Sequence, residues 1–198
     1  MVIGSVAALL QTNLKRLMAY SSIANMGFAL MPVAAGTPEA AEAALVYMAI
    51  YLPVTIGVFA LIIAMRVDGR PTEEIYDLSG LAPRRTLMAT LFTILLFSLA
   101  GIPPLAGFWG KWVIFREAVD GGLVWLAVLG GVAAVVAAGY YLRVIAAMWF
   151  APARITLDRP SGATMATALV GSALSFPVLV VALGYLESLA RAAVAASF

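Results

Sequence analysis

Five long apolar stretches, at 14–36, 41–65, 86–119, 123–150 and 163–188, are parted by short polar clusters. Each is long enough to cross a hydrocarbon layer of ~30 Å, which takes about 20 apolar residues as a helix. Five spanning helices are therefore predicted. Residues 1–12 open with a shorter apolar run, too short to span alone. It is expected to be the tail of a truncated helix, with the chain the C-terminal part of something longer; it lacks the basic n-region and cleavage site of a signal peptide. Thr12 or Asn13 is placed to cap the first full span, and Thr37-Pro38-Glu39 to form the turn after it. Pro53 should kink the second span, with Thr55 satisfying a released carbonyl. Residues 66–85 form the one long hydrophilic stretch, a loop with an amphipathic turn near 75–81. Pro177 lies in the last span, and Glu187 and Arg191 beyond it have ordinary helical ion-pair spacing.

The third stretch departs from a simple span. Gly101-Ile102-Pro103-Pro104 interrupts it, and Lys111 follows within two turns. Adjacent prolines remove N–H donors and their rings clash with the preceding turn, so the helix has to break. Gly101 loosens the backbone before them. Carbonyls freed around Ser98–Gly101 would find no partner in lipid, so residues 101–105 are expected to be non-helical and buried in protein or lining a wet cavity. Lys111 stands nine residues before Asp120, roughly 13 Å deep at 1.5 Å per residue. An ammonium there costs about 2.5–3.5 kcal/mol or more on insertion scales, which favours a functional role over a snorkelling anchor. Desolvation disfavours its charged form, so the combination of break and lysine points to proton transfer.

Composition narrows the class. Hydrophobic residues make up 64% of the chain and charged residues 11%, with mean hydropathy +1.02; soluble domains carry about 25% charged residues. The fold class is all-α integral membrane. The net charge of +2 is spread over short loops, and no nucleic-acid role is expected. There is no cysteine and no histidine, which removes the usual ligands for haem, iron–sulfur clusters and most transition metals. No cofactor or metal is expected in this chain. Gly107-Phe108-Trp109-Gly110-Lys111 is not a P-loop, because it lacks the required spacing and following hydroxyl.

Lys15, Arg16, Arg66, Arg70, Arg84, Arg85, Arg154 and Arg159 fall on one side of the predicted spans, against Arg116 and Arg191 on the other. By the positive-inside rule the first set is cytoplasmic. Within the spans, Asn25 needs a hydrogen-bond partner. Tyr140 and Tyr141 could enter a polar network or simply pack. Arg143 could snorkel or serve the chemistry. Trp109, Trp112, Trp125 and Trp149 fit interfacial anchors.

Three stretches, QTNLKRLMAYSSIANMGFAL at 11–30, SLAGIPPLAGFWGKWVIF at 98–115 and YYLRVIAAMWF at 140–150, together resemble subunit N (mitochondrial subunit 2) of the proton-pumping NADH–quinone oxidoreductase, respiratory complex I. The resemblance covers essentially the whole chain. It implies the C-terminal part of an antiporter-like inverted-repeat helix bundle with one discontinuous transmembrane helix. It implies that Lys111 is the protonatable residue of the outer half-channel, with Gly101, Pro103 and Gly107 matching the family's break, which Pro104 shares on the proline argument above. It matches Lys15 to a cytoplasmic-end lysine that serves proton entry or holds the helix end. The family often carries histidine where this chain has Asn25, and an amide does not exchange protons near neutral pH. The segment around Pro53 also departs from the family pattern.

The resemblance implies a non-redox, proton-translocating subunit that couples quinone reduction elsewhere to proton movement. Implied partners are other complex I membrane subunits, adjacent antiporter-like subunits, the N-terminal half of the same subunit, and lipid. The implied location is the bacterial inner membrane, or the mitochondrial one if the chain is organellar. Two other functions stay open: a subunit of a related cation/proton antiporter or membrane-bound hydrogenase, and a non-catalytic assembly scaffold.

Overall fold

The structure is a computed structural model that describes residues 1–174 and 183–195. Helix α1 covers Val2–Leu9 and α2 Leu14–Val33. Asn13 caps α2, its Oδ1 accepting from the Arg16 N–H at 3.0 Å. Helix α3 runs over Pro38–Ala64. It begins earlier than the predicted 41, because Thr37 is its cap and accepts from the Ala40 N–H at 3.2 Å. Pro38 thus fills the first helical position, where its missing N–H costs nothing.

Helix α3 is continuous through Pro53. Thr55 does not supply the expected compensation: its hydroxyl is buried with no hydrogen-bond partner. Backbone packing fills that region instead. A Cβ at Gly171 would stand 2.9 Å from the Pro53 carbonyl oxygen and 3.1 Å from Gly57 Cα, so small residues bring α3 and α8 (Gly162–Leu174) into close contact.

The hydrophilic stretch has more structure than a loop. Strands β1 (Arg66–Val67) and β2 (Arg70–Pro71) form a short antiparallel hairpin. A 3₁₀ turn at Ile75–Leu78 and the short helix α4 (Leu81–Arg84) follow. Ile75, Leu78, Leu81 and Ala82 are buried, which pins this segment onto the bundle.

Helices α5 (Thr86–Ala100) and α6 (Ala106–Asp120) are the two halves of the broken segment. Helix α7 is Val124–Phe150 and α9 is Leu183–Ala195. Pro177 lies outside the described residues. Helix α3 sits centrally, against α2, α5, α6, α8 and α9, while α1 packs on α2 and α7. Among the described residues α3 and α7 alone are helices long and apolar enough to cross a membrane unaided; α5 and α6 are 15 residues each, each short of the about 20 such a crossing takes.

Arg191 does not pair with Glu187 as its spacing predicts. Its Nε lies 3.5 Å from Glu42 of α3, because α9 turns that face toward α3.

Candidate functional site

The break falls where the prolines require it. Helix α5 ends at Ala100, and Gly101 takes a left-handed conformation at φ +85°. A helix leaves its last four carbonyls without intrahelical partners. Here all four are occupied. The Phe97 oxygen accepts from the Gly101 and Ile102 N–H groups, and the Ser98 oxygen also accepts from the Gly101 N–H. Lys111 Nζ donates to the Leu99 oxygen at 2.8 Å and the Ala100 oxygen at 3.1 Å. The lysine from α6 thus caps the negative end of α5, where a cation is stabilised by the helix dipole. Its Nζ also lies 5.1 Å from the centre of the Phe28 ring, a cation–π contact.

Lys111 is 8% exposed. It is not a snorkelling side chain in this chain, since its head group turns inward onto backbone carbonyls. The burial expected for the break is only partly found. Leu105 is buried, but Pro103 and Pro104 are exposed on the surface of this chain. Neither proline brings an N–H that would need a partner, so exposing them leaves no donor stranded. The peptide between them is cis.

Two glycines let the halves meet. A Cβ at Gly107 would overlap the Ser98 carbonyl oxygen, and the Gly107 N–H donates to Ser98 Oγ at 3.2 Å. A Cβ at Gly101 would stand 2.9 Å from Lys111 Cδ. Gly110 brings α3 close, with its Cβ position 3.2 Å from the Tyr47 ring.

A row of polar groups approaches from α7, α2 and α3. The Tyr141 hydroxyl and Ser21 Oγ share a short hydrogen bond. Asn25 Nδ2 donates to the Ser21 carbonyl oxygen at 2.8 Å and, more weakly, to the Tyr141 hydroxyl at 3.4 Å. The Tyr47 hydroxyl donates to Asn25 Oδ1 at 2.8 Å. Asn25 and Tyr47 are 2% and 3% exposed. Asn25, Tyr47, Ser98 and Lys111 line one small cavity, with about 10 Å³ of room for the centre of a water molecule. The neighbouring Tyr140 hydroxyl lies beside Ser21 and Tyr141 but makes no hydrogen bond of good geometry, so of the tyrosine pair Tyr141 is the one bonded into the row.

The structure sets Lys15 and Arg143 apart from this cavity. Lys15 Nζ donates to Glu73 Oε1 at 2.8 Å, and Asn13 Nδ2 donates to Glu73 Oε2 at 3.0 Å. These bonds tie the start of α2 to the loop after β2. Arg143 donates to the Leu9 carbonyl at 2.9 Å and to the Gln11 carbonyl, which makes it a clasp on the end of α1. Tyr47, Ser21 and Ser98 were not singled out from the sequence. Ser21 carries a usable signal, standing four residues before Asn25 on one helical face; Tyr47 carries none.

Glu73 is held below the usual carboxylate range by its bonds from Lys15 and then Asn13. Its contribution is present above its unfolded value and is lost as pH falls through the lowered folded one. Limited proteolysis of the 66–85 loop should therefore be pH-independent near neutrality and accelerate below about pH 4. Glu73→Gln should remove that step; an unchanged step in this variant would assign it to other carboxylates.

Residues 1–137 match the family described as NADH:quinone oxidoreductase/Mrp antiporter, TM. NADH-quinone oxidoreductase subunit N of Rhodospirillum rubrum is 51% identical over 173 residues, 87% of this chain and 36% of that protein. The protein of the same name from Hirschia baltica is 45% identical over 197 residues, 99% of this chain and 42% of its own length. This chain thus spans roughly two-fifths of the curated relatives it matches. A chain of respiratory complex I from Thermus thermophilus with bound NADH superposes with TM-score 0.81 at 30% identity, over 98% of this chain and 42% of that one. A chain of the Mrp complex from Dietzia sp. DQ12-45-1b superposes with TM-score 0.84 at 22% identity over 98% of this chain and 44% of that one, a likeness of fold alone. The chain belongs to the membrane-subunit family shared by NADH:quinone oxidoreductase and the Mrp antiporters.

Proposed function

We propose that this chain is part of a proton-translocating membrane subunit of a bacterial NADH–quinone oxidoreductase, working in the plasma membrane beside other antiporter-like subunits. The observation that carries the proposal is Lys111, a buried ammonium held by two carbonyls of a broken helix. A lysine is suited to this because its ammonium can release a proton when buried, whereas an arginine stays charged. The carbonyl pair holds the ammonium in place at the break. The chain has no cysteine or histidine to hold a redox centre, and we assign electron transfer to other subunits. Lys111 is the proton-carrying group in this proposal. Lys15 and Arg143, given their bonds, hold helix ends.

Deleting the full subunit from a bacterial host and restoring it tests the assignment. Loss of NADH-driven proton uptake in the deletion, regained on restoration, is the expected result. Sodium-dependent proton exchange that persists without NADH would instead identify an antiporter. Unchanged NADH-driven pumping in the deletion would refute the proposal.

A further inference from the structure

We infer that Phe28 is a positioning residue for Lys111: its ring, brought in from α2, holds the ammonium on the carbonyl end of α5. This deepens the proton-carrying role proposed for Lys111 and rests on it.

The case begins with what surrounds the charge. Among the described residues Lys111 has no carboxylate within ion-pair distance. A buried ammonium without a counterion rests wherever negative partial charge is offered to it. Three groups offer it here. Two are the Leu99 and Ala100 carbonyls, which both belong to the end of α5. The third is the Phe28 ring, whose centre lies 5.1 Å from Nζ. The face of an aromatic ring is its negative side, and its pull on a cation is strongest where water is excluded. Both side chains are buried. The lysine stem is flexible, so contacts from two elements, α5 and α2, fix its head group where one helix end alone would leave it free to swing.

The ring is itself held in place. Phe115 follows Lys111 by four residues on α6 and so shares its helical face. The Phe115 and Phe28 rings lie 6.2 Å apart between centres, tilted by 39°. Gly130 of α7 leaves room for this pair: a Cβ there would stand 3.1 Å from Phe115 Cζ and 3.0 Å from Met31 Sδ. Phe115 thus backs Phe28 against the lysine. Packing alone would be met by any large apolar side chain at position 28. Holding the ammonium requires an aromatic face, which leucine lacks.

The test uses the assembled complex containing the full subunit. Phenylalanines carrying one, two or three ring fluorines replace Phe28 in turn. Each fluorine withdraws electron density from the ring face and leaves its shape nearly unchanged. Proton uptake per assembled complex should fall stepwise along the series, to about a fifth with three fluorines, the scale of one cation–π contact. Phe28→Leu should fall at least as far. The same series at Phe115 is the control and should be flat. A flat series at position 28, or equal slopes at the two positions, would make Phe28 a packing residue and overturn the inference. Thermal stability separates the ring contact from the role of Lys111. Fluorination at position 28 should lower the melting temperature of the complex stepwise when Lys111 is present, and should not do so in Lys111→Met. If Lys111→Met still pumps while that difference is seen, the proton-carrying role fails and the ring contact stands. If Lys111→Met loses pumping and the difference is absent, the ring contact alone is refuted.

Discussion

Lys111→Met is expected to lower proton uptake on the order of a hundredfold, the scale of one lost proton-transfer group, while the complex still assembles. Methionine keeps a long flexible side chain and fills much of the same volume. Two energetic effects oppose one another in the folded state. Removing a buried charge relieves a desolvation cost of several kcal/mol. It also strands the Leu99 and Ala100 carbonyls, which Lys111 now satisfies, at about 1–3 kcal/mol each. The two are of similar size, so the assembled amount should change little and the loss should lie in function. Lys111→Arg is the sharper variant. The guanidinium can still donate to both carbonyls, so the break stays capped, but it does not deprotonate at accessible pH. Assembly should be retained and pumping lost. Proton uptake and NADH–quinone turnover, measured in membranes with equal assembled complex, decide the matter. Full activity in Lys111→Arg together with poor assembly in Lys111→Met would leave Lys111 a structural cap on α5.

The break and its lysine were legible because each violates a local rule. Two prolines cannot continue a helix, and an ammonium does not sit in lipid without cause; both are properties of one short segment. The start of α2 followed for the same reason, with Asn13 acting as its cap through a bond spanning three residues, whereas Thr37, assigned to the turn, is in fact the cap of α3, which starts at Pro38 and not at 41. What lay beyond local rules was not legible. Tyr47 reaches Asn25 from 22 residues away and Tyr141 from 116, and a single sequence has no pattern that brings three helices to one point. Thr55 shows the reverse failure: a sound local argument assigned its hydroxyl a carbonyl, and close packing of α8 against the Pro53 region settled that stretch instead. Arg143 was ambiguous because its partners, the Leu9 and Gln11 carbonyls, lie more than 130 positions away in sequence.

Gly107→Ala should damage the site more than any other single methyl group added near it. Its Cβ would fall on the Ser98 carbonyl oxygen, and a backbone atom cannot rotate away as a side chain can. Helices α5 and α6 would have to separate there, at a cost of about 3 kcal/mol or more by the usual scale of overpacking. The separation would also break the Gly107 N–H to Ser98 Oγ bond. More importantly, it would draw the start of α6 away from the carbonyl end of α5 and loosen the seat of Lys111 on Leu99 and Ala100. Gly110→Ala is the contrast to measure. Its Cβ would stand 3.2 Å from the Tyr47 ring and 3.3 Å from Ile50 Cδ1, and side chains can yield by a few tenths of an ångström. Assembled complex on native gels and proton uptake per assembled complex should both fall steeply in Gly107→Ala and only mildly in Gly110→Ala. Equal behaviour of the two variants would mean that α5 and α6 do not meet at Ser98 as described, and the carbonyl seat of Lys111 would fall with that contact.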